Sequence, residues 1–354
     1  MENVGYDGPI LQARNLEKYF DQNTSLVDTL LRREKPNVEA VDGVNFSIER
    51  NDSLAVIGES GCGKTTLLMT LMGLHDHTGG EILFKGKPFK KFTKSEWKDY
   101  RRSVQVIFQD PFNSLDPKYT IEEALKEPLK IHGMDNKDMR VRNILNDVEL
   151  QPAKKYLDRY PANLSGGEKQ RVSIARALIL QPDIILADEP VSMLDVSTQA
   201  SVLNMLKDLV NEKDVGLIYI SHDLSTVSYI TKQINVMYLG RFVEKAPTEE
   251  LLSDPKHPYS QALINAIPIP DPTVDRTRTE MSGAPQDPIG LGEGCRFRDR
   301  CPESMDICEV TPETREVEDG HHTACHLHYD HERVTGESAA TVSAPEQPAN
   351  SDDD

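Results

Sequence analysis

Short apolar runs, each closed by turn-forming or charged residues, recur along this chain. Leu54–Ile57, Val104–Phe108, Ile184–Ala187 and Leu217–Ile220 are each four or five residues long, a length that fits buried strands. Between them lie stretches with apolar residues at helical spacing: Thr65–Met72, Ile121–Ile131 and Gly167–Leu180. Strands alternating with helices predict an α/β fold around a mostly parallel sheet. Upstream, AVDGVNFSIERNDSLAVIG reads as two strands joined by a polar turn, and VMYLGRFV, Val236–Val243, as a hairpin turning near Gly240.

The residues that close the buried runs matter more than the runs themselves. They are Gly58, Gln109, Asp188 with Glu189, and Ser221 with His222. Open α/β sheets bind ligands at the carboxyl ends of their strands. Four independent runs delivering polar groups to one edge therefore predict a single active site.

The chemistry of that edge is legible. Residues 58–65, GESGCGKT, follow a strand and open a helix in the G-x-x-x-x-G-K-[ST] pattern. Such a loop turns backbone N–H groups toward phosphate oxygens, with the helix N-terminus adding partial positive charge. The predicted nucleotide-binding set is Gly58, Glu59, Ser60, Gly61, Cys62, Gly63, Lys64, Thr65 and Thr66; Cys62 reads as a small filler. Lys64 is placed for the β- and γ-phosphates and Thr65 for Mg²⁺. In IILADEP, Asp188 is placed to hold Mg²⁺ and Glu189 to act as general base on water. Together these define a nucleoside triphosphatase. Between them stands LSGGEKQR, Leu164–Arg171, where two glycines open a helix beside Ser165 and offer a second anion cradle. A second cradle is useful if it serves the nucleotide of another subunit.

On these residues the chain resembles the ATP-binding subunits of ABC transporters, and LSGGEKQR is similar to that family's signature motif. The resemblance runs from residue 11 to about 260: Gln109 matches the Q-loop, SMLD, Ser192–Asp195, the D-loop, and His222 the switch histidine. Met193 stands where alanine is more usual. Phe20, or neighbouring Tyr19, matches the aromatic that stacks on adenine. The resemblance implies a P-loop NTPase fold with a RecA-like core, an antiparallel β subdomain and a helical subdomain over about 110–180. It also implies ATP between Gly58–Thr66 of one subunit and Ser165, Gly166, Gly167 and Asp195 of another, with Glu189, His222 and Gln109 as catalytic residues and Thr65, Gln109 and Asp188 around Mg²⁺.

Three further stretches resemble the oligopeptide/dipeptide importer subfamily, which also includes nickel and glutathione carriers: the insert between Phe20 and Val41, HPYSQALINAIPIPDP, and GCRFRDRCPESMDIC. The implied partners are a second, related ATPase, two transmembrane permease subunits and an extracytoplasmic solute-binding protein; the insert favours the second ATPase of such a pair. Repair and translation ATPases share the motifs, but this chain has neither a long heptad insertion nor a second cassette.

Composition refines this picture. The net charge of −18 argues against nonspecific nucleic-acid binding, and fits either a high-salt cytoplasm or an ordinary acidic protein. No apolar run reaches the ~18 residues of a membrane helix, and MENVGYDGPI lacks the features of a signal peptide. The expected location is peripheral, on the cytoplasmic face of the membrane. Expected domains are 1–260, the ATP-binding domain; 261–330, a Cys-bearing extension; and 331–354, an acidic tail too poor in apolar residues to fold.

Four of the five cysteines, Cys295, Cys301, Cys308 and Cys325, fall in the extension. In a reducing compartment such clustering points to metal more than to disulfides. Their spacing lacks the C-x2-4-C knuckle of most structural zinc sites and the ferredoxin pattern, yet four thiolates suffice for zinc or an iron–sulfur cluster. His321, His322, His326 and His328 keep mixed ligation open, and Arg296, Arg298 and Arg300 are expected to favour thiolate. The resemblance implies a [4Fe–4S] cluster; zinc and simple packing are the alternatives.

Overall fold

The computed structural model describes residues 6, 8–21, 37–266, 283 and 287–329. Most of the insert after Phe20 and the acidic tail lie outside the described residues. Among the described residues the strands are β1 Leu11–Phe20, β2 Val38–Ile48, β3 Ser53–Ile57, β4 Gly79–Phe84, β5 Lys87–Pro88, β6 Val104–Ile107, β7 Ile184–Asp188, β8 Gly216–Ile220, β9 Gln233–Tyr238, β10 Arg241–Pro247, β11 Arg315–Glu318 and β12 His321–Thr323. They form two sheets, β2-β1-β4-β5 and β11-β12-β10-β9-β3-β8-β7-β6.

The four apolar runs are β3, β8, β7 and β6, side by side and parallel. Their near-continuous hydrophobicity is what a sheet covered on both faces requires. Period-two alternation sorts them between two cores. Leu54, Val56, Ile184, Leu186, Ile218 and Ile220 pack under the antiparallel sheet, whereas Ala55, Ile57, Ile185, Ala187, Leu217 and Tyr219 face the helices.

Five helices matter for the site: α1 Lys64–Leu71, α2 Ile121–Ile131, α3 Gly166–Leu178, α4 Val196–Glu212 and α5 Pro258–Asn265. Reciprocal capping boxes start two of them, Thr120 with Glu123 and Ser165 with Glu168. Asp195 caps α4 by accepting the Thr198 N–H. The expected helices are thus present with boundaries shifted by a residue or two.

Residues 287–329, beyond α5, are joined to this body. Strand β12 pairs with β10, so the β11–β12 hairpin extends the central sheet. Phe297 is buried against Tyr238 and Tyr259, with ring centroids 5.3 and 5.4 Å away. Buried Glu244 on β10 accepts the N–H groups of Lys256 and His257, and lies 2.7 Å from buried His321 Nε2.

Candidate active site

The phosphate loop spans the step from β3 to α1. Gly58 and Gly63 are required there by contact as well as conformation. With φ of 154° and 109°, a Cβ on either would come within 2.2 Å of the Met237 carbonyl oxygen or 2.0 Å of that of Ala40. Lys64 is folded back and buried, its Nζ donating to the carbonyls of Gly58 at 2.7 Å and Glu59 at 2.9 Å. Cys62 is buried beneath the loop, burial pushing its thiol pKa up, in keeping with a filler.

Facing the loop is the acid pair at the end of β7. Glu189 sits in the left-handed region at φ 45°, a conformation that costs a non-glycine residue about 1–3 kcal/mol and clusters at functional sites. Its carboxylate is oriented from both sides: Gln109 Nε2 donates to Oε2 at 2.8 Å, and His222 Nδ1 lies 2.7 Å from Oε1. Burial and the neighbouring Glu189 charge raise the Asp188 carboxyl above its ordinary value, partly offset by Lys64. A raised, half-buried carboxyl beside a second one fits a cation in this place.

These groups line one cavity of about 630 Å³, together with Phe20, Val38, Ala40, Ser60, Gly61, Gly63, Thr65, Thr66, Ile220 and Pro288. The structure thus brings together Phe20, most of the loop, Gln109, Asp188, Glu189 and His222. Tyr19 is engaged elsewhere, its hydroxyl donating to Asp42 at 2.7 Å, while Phe20 meets His75 edge to face.

Ser165, Gly166, Gly167 and Asp195 line a second cavity of about 400 Å³ with Arg171, Met193 and Ser197. Gly167 has no room for a Cβ, which would approach Thr198 Cγ2 to 2.4 Å. Asp195 is held near pKa 2 by the Ser197 and Thr198 hydroxyls. The signature loop and the D-loop therefore line one cavity, separate from the phosphate cavity.

In the extension the Cys295 N–H donates to the Cys308 carbonyl at 2.8 Å, and the four cysteines lie near enough that their thiolates would repel one another. All are free thiols. The expectation that nearby arginines favour thiolate is overturned. Burial pushes Cys295 to about 11 and Cys325 to about 12, and raises Cys301. Arg296 and Arg300 instead bind carboxylates, Arg296 those of Glu39 and Asp42 and Arg300 that of Glu59. His321, His326 and His328 are engaged by Glu244 and by the Val310 and Lys256 carbonyls. Among the described residues no group of three or more His, Cys, Asp or Glu side chains is arranged to hold a metal ion.

Sequence reasoning did not find Pro288, which lines the phosphate cavity, nor the Arg300–Glu59 pair. Partners 241 residues apart leave no local signal.

Residues 41–192 match the family described as "ABC transporter" and residues 243–308 that described as "Oligopeptide/dipeptide transporter, C-terminal region". The oligopeptide transport ATP-binding protein AppF of Bacillus subtilis is 41% identical over 326 residues, covering 90% of this chain and 97% of that one. The chain belongs to the ATP-binding proteins of ABC transporters. Solved cassettes agree on the fold. A dimeric, post-hydrolysis structure of the ATP-binding cassette MJ0796 with ADP and phosphate gives a TM-score of 0.58 at 27% identity, over 67% of this chain and 98% of that one. CbiO1 from Clostridium perfringens gives 0.58 at 26% identity, over 70% and 91%. As an ABC ATPase, the chain hydrolyses ATP with Mg²⁺.

Proposed function

We propose that this ABC ATPase drives import of di- and oligopeptides. The observation that carries the reading is similarity over 90% of the chain to an oligopeptide transport ATP-binding protein, C-terminal region included. Among the described residues no helix is long and apolar enough to cross a membrane; in the proposed assembly separate permease subunits carry the solute. A related second ATPase and an extracytoplasmic solute-binding protein complete the proposed assembly.

Within it, Phe20 stacks on adenine and the 58–66 loop wraps the phosphates. Thr65, Gln109 and Asp188 hold Mg²⁺, which when bound neutralises phosphate charge. Glu189, oriented by Gln109 and His222, takes a proton from the attacking water. His222 faces the γ-phosphate. The edge formed by Ser165, Gly166, Gly167 and Asp195 receives the nucleotide of the partner ATPase. Because that edge engages only a nucleotide bearing its γ-phosphate, ATP and ADP favour different subunit arrangements, and the difference works the permease.

The four-cysteine cluster is proposed as a structural iron–sulfur or zinc site. It is supported by the gathering of four thiols and by the subfamily resemblance, although the thiols as arranged here do not form a metal-holding set. Anaerobic purification with metal analysis tests it: bound iron with absorption near 400 nm, or bound zinc, supports it, and neither removes it. Co-purification tests the transport role: permease subunits should accompany the tagged chain, and ribosomes or DNA in their place would overturn it.

A further inference from the structure

Glu59, the second residue of the phosphate loop, is held from the far end of the chain. Its backbone N–H donates to the Tyr259 hydroxyl at 2.8 Å. Its carboxylate accepts two hydrogen bonds from Arg300, at 2.8 and 2.9 Å. Its carbonyl accepts from Lys64, the cation of the loop, at 2.9 Å.

Neither anchor is a loose surface contact. Tyr259 is fully buried on α5, and the Arg300 side chain is 6% exposed. The Arg300 guanidinium lies 5.8 Å from the Tyr238 ring and 5.9 Å from that of Phe297. The same segment meets the cavity's other end, where the Pro288 carbonyl accepts the Glu39 N–H at 2.8 Å and Pro288 lines the wall near Phe20.

We propose that the C-terminal extension is a working part of the nucleotide site, with Arg300 a positioning residue for ATP acting through Glu59. A bidentate arginine–carboxylate pair fixes direction as well as distance. Here it sets the first turn of the loop, and with it the carbonyls that hold Lys64. Displacing the extension lets that turn relax, so ATP must reorder it on binding. The consequence is weaker nucleotide binding with the acid pair left intact.

The inference rests on the proposed ATP site, so one assay reads both. ATPase activity of the purified full-length chain, together with its partner ATPase, is measured against ATP concentration for wild type, Arg300→Met, Arg300→Lys, Glu59→Gln and the Met/Gln double variant. Arg300→Met and Glu59→Gln should each raise KM for ATP about tenfold, with kcat changed much less, and the double variant should be no worse than either. Arg300→Lys, which keeps charge but loses the fork, should fall between. If buried Arg300→Met fails to fold, the charge-keeping Arg300→Lys carries the test, because Glu59 itself belongs to the loop. Unchanged KM in the folded variants, or additive effects in the double, would overturn the proposal while leaving the ATP site standing. A wild type that neither binds nor turns over ATP would overturn both.

Discussion

Replacing Glu189 by glutamine isolates the chemical step from binding. The amide keeps the size of the carboxylate but cannot take a proton. In this structure one carboxylate oxygen accepts from Gln109 and the other faces His222 Nδ1, so the glutamine can retain at least one contact. Gln109, His222 and the loop should therefore stay in place, and ATP affinity should change little. General-base catalysis contributes about 10²- to 10⁴-fold, or about 3 to 5 kcal/mol of barrier. Single-turnover phosphate release should slow by that factor. Size-exclusion chromatography of Glu189→Gln with its partner ATPase in ATP should trap a closed dimer that wild type forms only transiently. Phosphate release within about threefold of wild type would refute Glu189 as the base.

The same geometry sets other outcomes. Asp188→Asn should raise the melting temperature of nucleotide-free protein at neutral pH while abolishing Mg²⁺-dependent hydrolysis. Because the folded carboxyl is raised, the native state holds more protons than the unfolded state. Stability then falls as pH rises through that window, and the thermal advantage of the asparagine should vanish at acid pH. Gly63→Ala places a Cβ against the Ala40 carbonyl oxygen in a left-handed backbone; it should cost about 1–3 kcal/mol in thermal or urea unfolding and sharply weaken nucleotide binding. Phe297→Ala empties a fully packed position among Tyr238, His257 and Tyr259 and should lower stability by about 3–5 kcal/mol in the same unfolding assays. In metal-free protein the raised thiols of Cys295 and Cys325 should react with iodoacetamide at neutral pH far more slowly than in urea, read by mass spectrometry.

The parallel strands are legible in the sequence because their faces are largely buried, which leaves near-continuous apolar runs, interrupted by Gln105 in the edge strand β6. The site is legible for a related reason: β3, β6, β7 and β8 end on one edge, so the residues just past each run meet in space. Strand β1 gives no comparable signal. It is half-exposed, and its pairings with both β2 and β4 shift register, which breaks the alternation; the antiparallel sheet is expected only from the family resemblance. Tyr259 packs, as an aromatic on a helix after an HP turn should, but its hydroxyl also accepts a loop N–H, a role that no spacing encodes. The arginines beside the cysteines mislead because adjacency in sequence is not adjacency in space. Arg296 and Arg300 point away, to Glu39, Asp42 and Glu59, and burial decides the state of the thiols.

Peptide uptake tests the central claim most directly. A strain lacking this chain, with its permease and binding-protein genes intact, is supplied with a labelled tripeptide and either wild type or Glu189→Gln. Wild type should restore uptake and the variant should not, with both present at equal levels on the membrane. Uptake that never depends on the chain, or that Glu189→Gln restores fully, would contradict the account.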